Sequence, residues 1–201
     1  NANTFFHRID LDPDITKFIL QDSRAEIDVS AIYKTHKILK TMLSANASDL
    51  LIYFTNSDRI VSSVNTSLNM EKYYNVYYAS KNFNYGSFKS CFNDTNISSV
   101  KSFGDIYDIA IFHSLPFNNR KSPNAIAMYK LNRTAVIEML NSARYCDDAI
   151  IAIINREGDI IATTDSDYDL SILSQIDETS SYYKQTVDGM EYIFQTVNSD
   201  Y

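Results

Sequence analysis

Three histidines, two cysteines and an aspartate-rich turn are the residues of this chain best suited to catalysis or metal binding, and their spacing argues against both. His7, His36 and His113 fall at no metal-ligand spacing, and none stands near a cysteine in sequence. A Cys91/His113 nucleophile and base pair finds no support in the surrounding residues. There is no Gly-x-Ser-x-Gly elbow, no P-loop and no glycine-rich dinucleotide turn. With four glycines in all (Gly86, Gly104, Gly158, Gly189), a phosphate cradle is not expected. Asp165-Ser166-Asp167-Tyr168-Asp169 starts like a calcium loop, which also needs Gly at its sixth position and Glu at its twelfth. Those positions hold Leu170 and Ile176. The acids read instead as a solvated turn and the N-cap of a following helix, where negative charge meets the positive end of the dipole. Asp10-x-Asp12-x-Asp14 reads the same way. The expectation is a protein that is not an enzyme and uses no metal or cofactor.

Charge narrows the partners. The 201 residues carry a formal net charge of −7, with no concentrated Lys/Arg run, so nucleic acid is not an expected ligand. The longest apolar run, Ala149–Ile154, falls far short of the roughly 20 residues of a membrane span. A chain that is 45% hydrophobic and 21% charged can bury a core without disulfides. For Cys91 and Cys146, a disulfide in an exported domain and two separate thiols both stay open. The Asn-x-Ser/Thr sequons at Asn46, Asn65, Asn93, Asn96 and Asn132 are what an Asn- and Ser-rich chain produces by composition. With no initiator Met and no leader, the chain reads as a piece of a longer protein, and Asn1-Ala2 as a tag scar.

Periodicity and turn residues place the elements. Asp12-Pro13 opens a helix to about Gln21, and a second helix runs from about Ala25 to Ala45. In the second, Ile32, Leu39 and Met42 form one stripe, beside Ile27, Ile38 and Leu43, with Lys34, Lys37 and Lys40 opposite. The stripe suits packing on the protein's own modules, dimerisation, or both. A hairpin over Leu50–Ser63 follows, then a tyrosine-rich helix over Met70–Ser80 and a loop around Asn93–Ser99. Strands are expected at Val100–Phe103, Ile106–Ser114 and Ala125–Leu131, and a helix over Arg133–Ala143 capped by Asn132. A second hairpin spans Ile150–Thr163, a short helix Asp169–Ile176, and a last hairpin joins Tyr182–Val187 to Met190–Val197. LIYFTNSDRIVSS at 51–63 and IAIINREGDIIAT at 151–163 make the same statement, an apolar run, a polar tip and a second apolar run ending in Ser/Thr. That repetition predicts two similar α+β modules in tandem.

In this order, LIYFTNSDRIVSS, DIYDIAIFHSLPF and NAIAMYKLNRTAVIEML resemble the distal half of a double Cache (PAS-like) sensor domain. IAIINREGDIIATTD resembles the hairpin that opens the proximal half. The nearest likeness is to the extracellular domains of membrane-bound AraC-type regulators and sensor histidine kinases of Gram-positive bacteria. The resemblance implies an α+β fold: an N-terminal helical segment (1–48), a membrane-distal Cache module (49–145) and a C-terminally truncated proximal module (146–201). It implies a place on the extracellular face of the cytoplasmic membrane, flanking spans outside this sequence, and a signal relayed to a regulator or kinase output, with a homodimer as one arrangement.

The family's amino-acid site pairs Tyr with a downstream Arg and a Trp-Tyr, whereas YYNVYYASKNFNYGSF has neither Arg nor Trp. That site is therefore not carried over, since a carboxylate ligand wants a bidentate guanidinium. A pocket is expected between the tyrosine-rich helix and the sheet, with Tyr53, Tyr74, Tyr78, Tyr107 and His113 as its polar tips and a small polar molecule as ligand. The alternative is an exported cell-surface interaction or adhesion domain without such a pocket, which the Tyr/Asn/Ser-rich composition also suits.

Overall fold

Leu50-Leu51-Ile52-Tyr53-Phe54 offers almost nothing to water, so a strand made from it must be covered on both faces. The computed structural model describes residues 2–20, 28–79, 83–93, 98–102, 108–115, 123–154 and 160–165, and the backbone of 182–187 and 190–195. These residues form an α+β fold. Strand β1 (Ala47–Phe54) lies inside a six-stranded antiparallel sheet, between β2 (Arg59–Ser62) and β6 (Ala125–Leu131). With β3 (Leu68–Asn69), β4 (Ser98–Ser102) and β5 (Ile109–Leu115), the order across the sheet is β3-β2-β1-β6-β5-β4. This is an arrangement consistent with a PAS-like sheet.

Alternation along β1 sends Leu50, Ile52 and Phe54 to one face and Leu51 and Tyr53 to the other. The first face is covered by α1 (Ala2–Leu11), α2 (Pro13–Leu20) and α3 (Val29–Met42). These helices deliver Phe5, Phe6, Ile9, Ile15, Ile19, Ile32 and Leu39 to a core shared with Val61, Leu115 and Tyr129. The second face is covered by α4 (Met70–Tyr77) and α5 (Tyr85–Ser90), whose Met70, Tyr73, Tyr74 and Phe88 pack with Phe92, Phe112 and Met128. A smaller core joins α6 (Arg133–Ala143) to the hairpin of β7 (Ala152–Ile154) and β8 (Ile160–Thr163), through Val136, Leu140, Ile109, Ile161 and Ala162. A last antiparallel pair is β9 (Tyr182–Val187) with β10 (Met190–Gln195).

Short polar side chains start the helices. Asp12, Asp28, Asn69, Asn84 and Asn132 each accept a backbone N–H of the first turn of the helix that follows, at 2.9–3.0 Å.

Several bounds differ from expectation. Helix α1 was not anticipated, although Phe5 and Ile9 stand one turn apart. Helix α3 begins at Val29, after its Asp28 cap, and ends at Met42. Its Ile32 and Leu39 are buried against the sheet and Met42 packs beside them, so the stripe serves the chain's own core. The tyrosine-rich helix stops at Tyr77, and α5 is an additional helix. Strand β4 begins at Ser98, inside the expected loop, and β5 runs from Ile109 to Leu115. The expected helix Asp169–Ile176 lies outside the described residues. No disulfide joins Cys91, buried with its thiol on the Ser87 carbonyl, to the exposed Cys146.

The two hairpins share a register over two pairs, before a shift between Ile153 and Ile154 in the second. Leu51 pairs with Ser62 and Ile52 with Val61; Ala152 pairs with Thr163 and Ile153 with Ala162. The offset is therefore 101 (52 to 153, 61 to 162), one more than the sequences suggest by eye. Side chains repeat as well. Ser63 N–H donates to the Leu50 carbonyl (2.7 Å) and its hydroxyl accepts the Leu50 N–H (3.1 Å). Thr164 N–H donates to the Ile151 carbonyl (2.8 Å) and its hydroxyl accepts the Ile151 N–H (2.9 Å).

Candidate functional site

An aspartate sits where the pleat should bury an apolar residue. Asp49 follows a bulge: Ala47 pairs with Leu131 and Asp49 with Lys130, leaving Ser48 as the extra residue. Beyond the bulge Asp49 points with Leu51 and Tyr53 to the α4 face, only 5% exposed.

Three hydroxyls meet its carboxylate. Ser63 donates to Oδ1 (2.9 Å), while Tyr73 and Tyr78 donate to Oδ2, Tyr78 at 3.3 Å. Among the described residues no cation pairs with it. Lys130, its cross-strand partner, is directed instead to Asp108 (3.6 Å) and over the Tyr78 ring (4.8 Å to the centroid).

Removing a carboxylate from water favours its neutral form, and hydroxyl donors favour the charged one. Burial wins here: the Asp49 pKa is raised above 3.8 despite the hydrogen bonds from Tyr73, Ser63, Tyr78 and the Leu50 backbone. The phenols respond in kind. Burial first, then the Asp49 charge, holds Tyr73 and Tyr78 far above the usual tyrosine range, so both stay protonated donors. The result is a carboxyl group whose burial favours its neutral form, against hydroxyl donors that favour the charged one. It can accept hydrogen bonds from a bound molecule or hold a proton.

Aromatic rings surround this polar end. Tyr73 packs on Tyr77 and Tyr78 (4.8 and 5.8 Å between centroids), and Phe88 on Tyr74, Tyr78 and Phe92 (5.6, 5.2 and 5.2 Å). Helix α4 positions the phenols: its Asn69 cap fixes the first turn, and Tyr73, Tyr74, Tyr77 and Tyr78 follow at helical spacing.

Tyr53, Tyr74 and Tyr78 share this face, as the sequence predicts, but their hydroxyls diverge. Tyr78 reaches Asp49. Tyr74 donates to the Phe83 carbonyl (2.7 Å) and ties α4 to the segment before α5. Tyr53 donates to Asp58 (3.3 Å) at the hairpin tip, where burial and then the Asp58 charge push its pKa up to about 12. His113 belongs to the opposite face. Its strand neighbour Phe112 points to α4, so alternation turns His113 toward α1, where it stacks on Phe6 (4.9 Å, 20° between planes). Burial lowers its pKa, opposed by Asp10. Tyr107 lies outside the described residues.

Sequence reasoning missed Asp49, Tyr73 and Ser63. The available signal was an acid two positions before Leu51 and four before Tyr53, on the parity of a strand otherwise fully apolar. A shallow hollow of about 720 Å³ between α1 and α2, lined by Asp10, Leu11, Pro13, Thr16, Lys17 and Leu20, contains none of these residues. No protein-family model matches the chain, and no curated protein matches it.

Proposed function

We propose that this chain is the extracytoplasmic sensor domain of a bacterial transmembrane receptor of the double Cache kind. It binds a small polar molecule on the α4 face of the six-stranded sheet and passes a conformational signal to a regulator or kinase output. The observation that supports this reading is the Asp49 carboxyl, buried with no cation paired to it among the described residues and held by three hydroxyls at the polar end of an aromatic-lined face. A buried charge of that kind is costly for stability alone. Its retention suits a ligand that brings its own hydrogen-bond donors, such as an amine or polyol. Occupancy would then shift the population between two states by its difference in affinity for them. No helix among the described residues is long and apolar enough to cross a membrane; the proposed spans flank this sequence.

The test is a thermal-shift screen of amines, polyols and amino acids, followed by calorimetric titration of each hit against wild type, Asp49→Asn and Tyr73→Phe. At 100 times its dissociation constant, a ligand stabilises the fold by about 2.7 kcal/mol. Tenfold or greater loss of affinity in both variants (roughly 1.4 kcal/mol) is the expected result. A hit bound equally well by all three proteins would place the ligand elsewhere and remove this site from the reading.

A further inference from the structure

The sheet separates α3 from the Asp49 cluster, yet one strand end touches both. On the α3 side, His36 Nδ1 lies 2.7 Å from the Ser62 carbonyl oxygen. A carbonyl can only accept, so Nδ1 carries the hydrogen of this bond. On the other side of the same peptide, Ser63 donates its hydroxyl to Asp49 (2.9 Å) while gripping both backbone groups of Leu50. The Ser62 hydroxyl accepts the N–H groups of Val64 (3.2 Å) and Asn65 (3.0 Å), which fixes the turn, and also interacts with the Tyr73 hydroxyl. The Ser62–Ser63 peptide is thus held by a helix on one face of the sheet and by the carboxyl cluster on the other.

We propose that His36 couples α3 to the Asp49 site, acting as a positioning residue that sets the Ser62–Ser63 peptide and through it the hydrogen bonds on Asp49. A rearrangement around Asp49 that moves Ser63 must then either carry α3 with it or break the His36 bond. The second hairpin has the same hydroxyl grip at Thr164 without an acid at the position corresponding to Asp49, which is Ile150. The link to a buried carboxyl therefore belongs to the first hairpin. Its use as a signal path rests on the sensor reading, but the link itself is a property of the fold and is tested without ligand.

Two measurements test it. Amide exchange of α3 is followed in wild type, His36→Phe, Ser63→Ala and the double variant, with α6 as internal reference. Coupling predicts that each single change speeds exchange around His36 by roughly tenfold, that the double adds little more, and that α6 is unaffected. Effects that multiply, or an α3 indifferent to Ser63→Ala, overturn the proposal. An equal rise in α6 would report general destabilisation, and the second measurement then decides. The Asp49 carboxyl is titrated by carbon-13 NMR in wild type, His36→Phe and His36→Asn, where the Asn amide restores a donor near the Nδ1 position. Coupling predicts a shifted midpoint in His36→Phe and a wild-type midpoint in His36→Asn. A midpoint unmoved by His36→Phe, or equally moved by both, overturns it. Failure of the ligand screen with these results intact would sink the sensor reading and leave the link standing.

Discussion

The Asp49 carboxyl has a pKa raised above 3.8 by burial, which fixes a sign for its pH dependence. Between 3.8 and its folded value, the folded protein keeps a proton that the unfolded chain has released. Its contribution to stability is therefore complete below 3.8 and is lost as pH rises through the folded value. Asp49→Asn cannot ionise, so it should gain on wild type as pH rises from 3.8 through the folded value, as read by urea unfolding at several pH values. A difference that stays flat with pH would mean that Asp49 does not titrate in this window. Tyr73→Phe removes a donor from the same carboxyl and should cost about 1–3 kcal/mol in the same assay near neutral pH. Tyr53 offers an optical check: its phenolate should appear only near pH 12, and Asp58→Asn should bring that transition down, though not fully to 10, because burial is the larger cause. Asp58 itself is held at a positive φ of 49° at the hairpin tip, a conformation that Asp tolerates better than most residues.

At the scale of elements, what sequence could reveal was set by how locally each element is determined. Strand β6 and helix α6 were legible to the residue, because Asn132 caps the helix where the strand stops and each carries its own period. Pro13 and Asp12 marked α2 for the same reason. The bounds that slipped are those fixed by tertiary contact. Helix α4 ends at Tyr77, where the Tyr78 hydroxyl is drawn to Asp49. Strand β4 starts at Ser98 because its register with β5 begins at the Ser98–His113 pair. The site was half legible. Counting tyrosines found the face that also carries Asp49, through Tyr53, Tyr74 and Tyr78, but an acid beside a bulge could be aimed only once β6 was paired. His113 was misplaced because its face depends on strand parity, not on residue type. Two substitutions separate local from tertiary determinants. Asn69→Ala should cost about 1 kcal/mol by loss of the α4 cap. Leu39→Ala should cost about 2–5 kcal/mol by opening the core under α3. A cap loss as large as the core loss would mean that α4 carries more of the fold than its short length suggests.

For the whole molecule, protection should follow position in the sheet. Strands β1 and β6 have a partner on each side and helices over both faces, whereas β3 and β4 are edges among the described residues. Amide exchange should therefore be slowest from Leu51 to Phe54 and Ala125 to Tyr129, approaching the global unfolding rate, and faster in Ser98–Ser102. Equal protection in β4 would show that this edge is covered by an assembly partner. The small core of α6 with β7 and β8 extends the same cooperative unit through Ile109 and Leu131, so Leu140→Ala should lower the single melting transition and not split it.

The pairing of β1 with β6 also sets an order of events during synthesis. Ile52 meets Val61 across a short hairpin but waits for Ala127 on its other side. Until the ribosome has delivered that strand, β1 exposes an unpaired edge and a nearly continuous apolar run. Closing so long a loop is entropically demanding, and sheets dominated by such pairings fold in milliseconds to seconds, not microseconds. The N-terminal helices, already made, can cover one face of β1 in the interval. Helices α1, α2 and α3, which precede β1 in the chain, are thus in place to shield the nascent sheet from aggregation before they serve its finished core.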